Sequence, residues 1–125
     1  MTLETCEQQA RFFSALSHPV RLRILGILSE GEACVCHLCA ILQQRQAYVS
    51  QQLAILKEIG LISDKKEGLY VYYRLANADI AQALGEVQQS LARLTGNEAL
   101  LHTEAPTGGK IECSCPRCQT TAGSR

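Results

Sequence analysis

Apolar residues recur at spacings of three and four along the first half of this chain, alternate in the middle, and return to helical spacing near the end. Leu3, Cys6, Ala10, Phe13 and Leu16 share one face of a predicted helix from about Leu3 to Leu16. A second helix runs to about Ser29 and carries Leu22, Ile24, Leu25 and Leu28. Ser17 is expected to cap it, and Pro19 sits in its first turn, where a missing N–H is tolerated. A short third helix covers about Val35 to Leu42. After the polar break Gln43 to Gln46, a fourth runs from about Ala47 to Ile59 and stops at Gly60. Val49, Leu53 and Leu56 should face inward, whereas Tyr48, Gln51, Gln52 and Ile55 should lie away from the packed face. Two short helices joined by a brief polar break outline a helix-turn-helix.

Past Gly60 the period changes. Leu61 to Lys66 and Leu69 to Leu75 read as strands joined by a Glu67-Gly68 turn. Val71 and Tyr73 alternate with Tyr70, Tyr72 and Arg74, which should leave one hairpin face wet. A hairpin directly after a helix-turn-helix is a wing. The last long helix, Asp79 to Leu94, carries Ile80, Leu84, Val87, Leu91 and Leu94 in a narrow stripe that suits a seam between two helices. Palindromic DNA sites match two-fold proteins, so the stripe is expected to be a dimer contact. The predicted fold is mainly α with a β-hairpin wing: a dimeric winged helix-turn-helix. Residues 1–96 should form the DNA-binding and dimerisation domain. Residues 97–125 should form a flexible tail, with Pro106 and Gly108-Gly109 as a hinge before its cysteines.

Composition narrows the partners. Hydrophobic residues make up 46% of the chain and charged ones 19%, which is ordinary for a globular protein. No apolar run is long enough to span a membrane, and no signal peptide is visible, so a cytoplasmic protein is expected. The formal net charge is zero, so attraction to nucleic acid must come from a local surface. From Arg45 to Arg74 basic residues outnumber acidic ones by two. Gln46, Tyr48, Ser50, Gln51 and Gln52 lie at or near the start of the fourth helix, the end that touches base edges in helix-turn-helix proteins. Glutamine can pair bidentately with adenine, and hydroxyls suit bases or phosphates. Lys65 and Lys66 on the wing should meet phosphate. Double-stranded operator DNA is the expected partner. No histidine is placed to activate a nucleophile and no phosphate loop is present, so an enzyme is not expected.

The chain has seven cysteines, six of them in two tight clusters. Clustered thiols without an export signal point to metal or redox chemistry rather than a disulfide scaffold. Cys34, Cys36 and Cys39 stand at the start of the third helix, whose partial positive charge favours thiolates. Cys36 and Cys39 share a face, and Cys34, one step outside, can fold back toward them. Soft thiolates select soft ions. Three of them suit As(III) or Sb(III). With Cys6 as a fourth ligand, the site would suit Cd(II), Pb(II) or Zn(II). His37 points to another face and reads as a surface residue. A thiol redox sensor is the alternative in a different class. Cys113, Cys115 and Cys118 repeat the spacing in the tail. They can form a second soft-ion site, supply ligands to the first, make an incomplete iron–sulfur ligand set, or be a disordered thiol-rich tail.

Glu32-Ala33-Cys34-Val35-Cys36-His37-Leu38-Cys39, Tyr48-Val49-Ser50-Gln51-Gln52-Leu53, Gly60-Leu61, Lys65-Lys66-Glu67-Gly68 and Tyr72-Tyr73-Arg74-Leu75 together resemble the ArsR/SmtB family of metal-sensing repressors. The resemblance covers roughly Glu7 to Leu94 and is strongest to arsenite-responsive members. It implies an operator near resistance genes and a homodimer joined by the first and last helices. It also implies release from DNA when arsenite or antimonite binds Cys34, Cys36 and Cys39. Three features depart from the family pattern. Gln52 stands where histidine is usual. Asp79 is followed by no histidine before His102, which argues against the zinc-sensing ligand set. The Cys113 to Cys118 cluster has no counterpart.

Overall fold

The computed structural model describes residues 1–101. Its elements run α1 (Leu3–Leu16), α2 (Pro19–Ser29), β1 (Ala33–Cys34), α3 (Val35–Leu42), α4 (Gln46–Ile59), β2 (Ile62–Glu67), β3 (Tyr70–Leu75) and α5 (Ala78–Thr95), then a 3-10 turn, Glu98–Leu101. This is the mainly helical winged helix-turn-helix that the patterning predicts. Gly96 is the left-handed C-cap of α5. The tail cluster Cys113, Cys115 and Cys118 lies outside the described residues.

Local chemistry explains the punctuation. Pro19 opens α2, but the capping position is His18 rather than Ser17, which instead follows the end of α1. Gln43 closes α3 with φ of 53°, a left-handed turn that an amide side chain tolerates. Gly60 closes α4 at φ of 90°, and the Leu61 amide reaches back to the Leu56 carbonyl at 3.0 Å. Asn77 caps α5 by accepting the Asp79 amide at 2.9 Å.

The main core is Ile24, Leu25 and Leu28 of α2, Leu38 of α3, Val49, Leu53 and Leu56 of α4, and Leu61 and Ile62 leading into the wing. It clamps α2, α3 and α4 into one unit and fixes the hairpin base, where the Ala76 amide bonds the Leu61 carbonyl at 3.0 Å. Glu67 pairs with Tyr70, so the turn is Gly68-Leu69, one residue later than the sequence suggests. Gly68 takes φ of 61°, and a two-residue turn with glycine first matches the twist of the flanking strands.

Two expectations change. The wing has a third strand: the sheet order is β1-β3-β2, with Ala33 opposite Tyr73 and Cys34 opposite Tyr72. Tyr72 is therefore buried, and the face expected to be wet is covered there by the cysteine segment. The stripe on α5 also divides. Ile80 and Leu84 pack on the chain's own core. Val87, Leu91 and Leu94 remain exposed, as do Leu3, Phe12 and Phe13 of α1. Gln9, Phe12 and Phe13 face Ala83, Glu86, Val87 and Leu91 across an apolar groove between the two helices.

Candidate nucleic-acid interface and thiol site

The amphipathic pattern of α4 sets its outward residues. Gln46, Ser50 and Gln51 are exposed at its N-terminal half, and Tyr48 is half-buried. The Tyr48 hydroxyl lies 3.4 Å from His18 Nε2, so this side chain braces α4 against the start of α2. Gln52 overturns its assignment: it is 7% exposed, on the inward face with Val49, Leu53 and Leu56. Its position one residue before Leu53 places it on the edge of the apolar stripe, where helix rotation turns it inward. Its Oε1 is buried with no hydrogen-bond partner among the described residues. Gln52 is therefore not an outward base reader in this conformation.

The wing carries Lys65 and Lys66 into solvent. Lys65 Nζ stands 3.6 Å from a Glu67 carboxylate oxygen, an exposed pair that DNA phosphate can replace at little cost. Lys57 of α4 and Asp64 of β2 meet at 3.0 Å and tie the wing to the end of α4.

The thiol segment lies at the junction of β1 and α3. Cys34 has extended backbone (ψ of 165°) and caps α3 without a side-chain bond to it. Its Sγ is 2.8 Å from Cys36 Sγ. Cys34 and Tyr72 form a small buried cluster flanked by Cys36 and Tyr70, separate from the main core. Cys39, one turn along, packs against the main core instead, and burial raises its thiol pKa above the ordinary value. The structure thus joins Cys34 and Cys36, and does not gather Cys39 with them. Among the described residues no three metal-ligating side chains converge. Cys6 is exposed on α1. His37 is half-buried rather than a surface residue, and burial lowers its pKa. The donor chemistry fits a soft ion, and three-fold coordination requires the first turn of α3 to rearrange.

Sequence reasoning missed the β1 pairing and the burial of Tyr72. A two-residue strand has no periodicity to detect. The one available signal was the run of tyrosines, Tyr70, Tyr72 and Tyr73, which places aromatic rings on both faces of β3.

Comparison with known proteins bears on both surfaces. The profile of the bacterial regulatory protein, arsR family, matches residues 18–64, from the start of α2 into β2. A transcriptional repressor SmtB homolog of Synechocystis sp. is 40% identical over 91 residues, spanning 73% of this chain and 69% of that protein. The arsenical resistance operon repressor of Escherichia coli is 48% identical over 67 residues, 53% of this chain and 57% of that protein. The solution structure of a homodimeric winged helix-turn-helix DNA-binding domain from Mycobacterium bovis superposes with a TM-score of 0.63 at 30% identity, covering 82% of this chain and 91% of that one. Among the described residues no helix is long and apolar enough to cross a membrane.

Proposed function

Because the chain belongs to the arsR family of bacterial regulatory proteins, we propose that it is an operator-binding repressor released by As(III) or Sb(III) held on Cys34, Cys36 and Cys39. The observation that carries this reading is the pair of cysteine sulfurs, 2.8 Å apart at the entrance to the helix-turn-helix. Similarity to an arsenical resistance repressor supports the choice of ion. The cytoplasm suits such a site, because thiols stay reduced there.

Residues 1–96 carry both working surfaces. The dimer contact uses the exposed apolar residues of α1 and α5, and the homodimeric M. bovis relative supports that assignment. Two copies present two α4 helices to the two halves of a duplex operator. Gln46, Ser50 and Gln51 read base edges, Tyr48 braces the helix, and Lys65 and Lys66 hold phosphate. The ion supplies strong bonds to sulfur that are available only when the three thiols come together. Cys36 and Cys39 offer two sulfurs on one helical face, and Cys34 turns out of β1 to provide the third. Such a change unwinds the first turn of α3, which packs beside α4 through the shared core. Coupling requires the ion to bind the DNA-free conformation more tightly by the same factor by which it weakens DNA affinity.

A second reading, a thiol redox sensor, is favoured by the closeness of the Cys34 and Cys36 sulfurs, 2.8 Å apart. One titration separates the two. Reduced protein on a selected operator duplex is followed by fluorescence anisotropy while arsenite, antimonite, cadmium, lead or zinc is added, and separately an oxidant. Release by arsenite in excess reductant supports the ion reading. Release by cadmium or lead alone assigns the site to those ions, with Cys6 as the candidate fourth ligand. Release only by oxidant assigns it to redox sensing.

A further inference from the structure

Two faces of α1 meet different neighbours. Gln9, Phe12 and Phe13 turn toward α5. Glu7 and Arg11 lie on the other face by helical spacing and line a second groove, which Arg21 of α2 and Ile55 and Ile59 of α4 complete. A dimer contact through α1 and α5 uses the first face and not the second. The second groove has a volume of about 560 Å³, within the roughly 300–1,000 Å³ of small-molecule sites. Ile55 and Ile59, 36% and 37% exposed and one turn apart, give it an apolar wall. Its cationic side is unsatisfied. Arg21 Nε is buried with no hydrogen-bond partner among the described residues. Neither Arg11 nor Arg21 forms an ion pair there, whereas Lys57, Lys65 and Arg74 each do. A buried donor without a partner costs free energy that a bound acceptor recovers. With Glu7 also in the lining, two arginines against one glutamate leave one positive charge in excess.

We propose that this groove binds a small aliphatic monocarboxylate, with the carboxylate on Arg21 and Arg11 and the hydrocarbon chain along Ile55 and Ile59. The planar guanidinium fork matches a carboxylate and forms charge-assisted hydrogen bonds with it. One negative charge answers the one positive charge in excess. A compact dianion such as phosphate would overshoot it and leave the isoleucine wall bare. An uncharged hydrocarbon would cover the wall and leave Arg21 Nε without an acceptor. Ile55 follows Gln51 by four residues on α4, so the occupant lies against the helix that presents the proposed base contacts. The site belongs to the chain free of DNA and of any ion, and it depends on neither the operator reading nor the cysteine reading.

Calorimetric titration of the reduced full chain with octanoate, without DNA or metal, tests this directly, and methyl NMR on the same protein locates the ligand. Expected is saturable binding that shifts the Ile55 and Ile59 methyl signals and leaves those of Val87 and Leu91 in place. Shortening the ligand to butanoate should weaken binding by up to about fourfold for each methylene removed. Octanol, which keeps the chain and loses the charge, should bind at least about tenfold more weakly. Arg21→Gln should cost octanoate about tenfold in affinity and leave octanol unchanged. Arg11→Gln should weaken octanoate and Glu7→Gln should tighten it. Glu7 and Arg11 are exposed, so these two variants decide if Arg21→Gln fails to fold. Octanol binding as tightly as octanoate overturns the carboxylate assignment. Inorganic phosphate competing at lower concentration than octanoate does the same. Shifts at Val87 and Leu91 instead of Ile55 and Ile59 place the ligand in the α1–α5 groove and overturn the site, as does the absence of saturable binding.

Discussion

Cys34 and Tyr72 face each other across an antiparallel bridge, and both are buried. A cysteine proposed to sense an ion is thereby part of the sheet proposed to touch DNA. The proposed sensing and binding surfaces share the sheet through β3.

The DNA surface yields a prediction that separates outward from inward residues on α4. Gln51→Ala should weaken operator binding by about 1–3 kcal/mol if it pairs with a base. Lys65→Ala should weaken binding to all sequences and lower the salt slope by about one. Gln52→Leu should leave folding stability unchanged or raise it by about 1 kcal/mol, because it removes a buried oxygen that lacks a partner. Gel shifts at two salt concentrations and urea unfolding check these. A Gln52→Leu protein destabilised by more than 2 kcal/mol (roughly what an abandoned buried partner costs) would show that its amide is satisfied in the assembled protein.

Assembly can be tested on the divided stripe of α5. Val87→Glu and Leu91→Glu should give folded monomers by sedimentation, with poor operator affinity, because those side chains are exposed in the single chain. Leu84→Ala should instead lower stability by about 2 kcal/mol, because Leu84 packs on its own core. Dimers that survive both glutamates would move the interface elsewhere.

Much of this was legible in sequence because it is periodic. Leu53 and Leu56 follow the helical period of α4, and the alternation of Val71 and Tyr73 with Tyr70, Tyr72 and Arg74 marks a strand. Gly60 and Gly68 mark the breaks. What escaped was set by tertiary contact. Gln52 lies at the border of the apolar stripe, where composition says outward and packing says inward. Ala33–Cys34 is too short for any period, and only the partner strand makes it a strand. Leu84 and Val87 share one heptad-like stripe, but the helix leaves the core between them. The cysteine spacing announced a thiol site, yet the separation of Cys39 from Cys34 follows from which hydrophobic cluster each joins.

The pH dependence of ion uptake separates the candidate ions. Burial raises the Cys39 pKa, so its neutral thiol persists to higher pH than an exposed one. Arsenous acid, As(OH)3, reacts with three neutral thiols to give three As–S bonds and three waters, so no proton is released. A divalent cation must displace protons, and its affinity rises by up to about tenfold per pH unit for each one displaced. Calorimetry between about pH 6 and 8, below the ordinary thiol range, should find arsenite affinity nearly flat and cadmium affinity climbing. A steep fall in arsenite affinity with rising pH would mean that its ligands are thiolates in the free protein, because each must then take up a proton for a water to leave.

The central claim is that Cys34, Cys36 and Cys39 hold the releasing ion. Its most direct test is arsenite titration of reduced protein bound to operator, comparing single serine variants in each cysteine cluster. Cys34→Ser, Cys36→Ser and Cys39→Ser should each bind operator as the wild type does and stay bound at arsenite concentrations that release the wild type. Cys113→Ser, Cys115→Ser and Cys118→Ser should release normally. Release that survives all three substitutions in the first cluster and is abolished by those in the tail would contradict the account and place the sensing site in the tail.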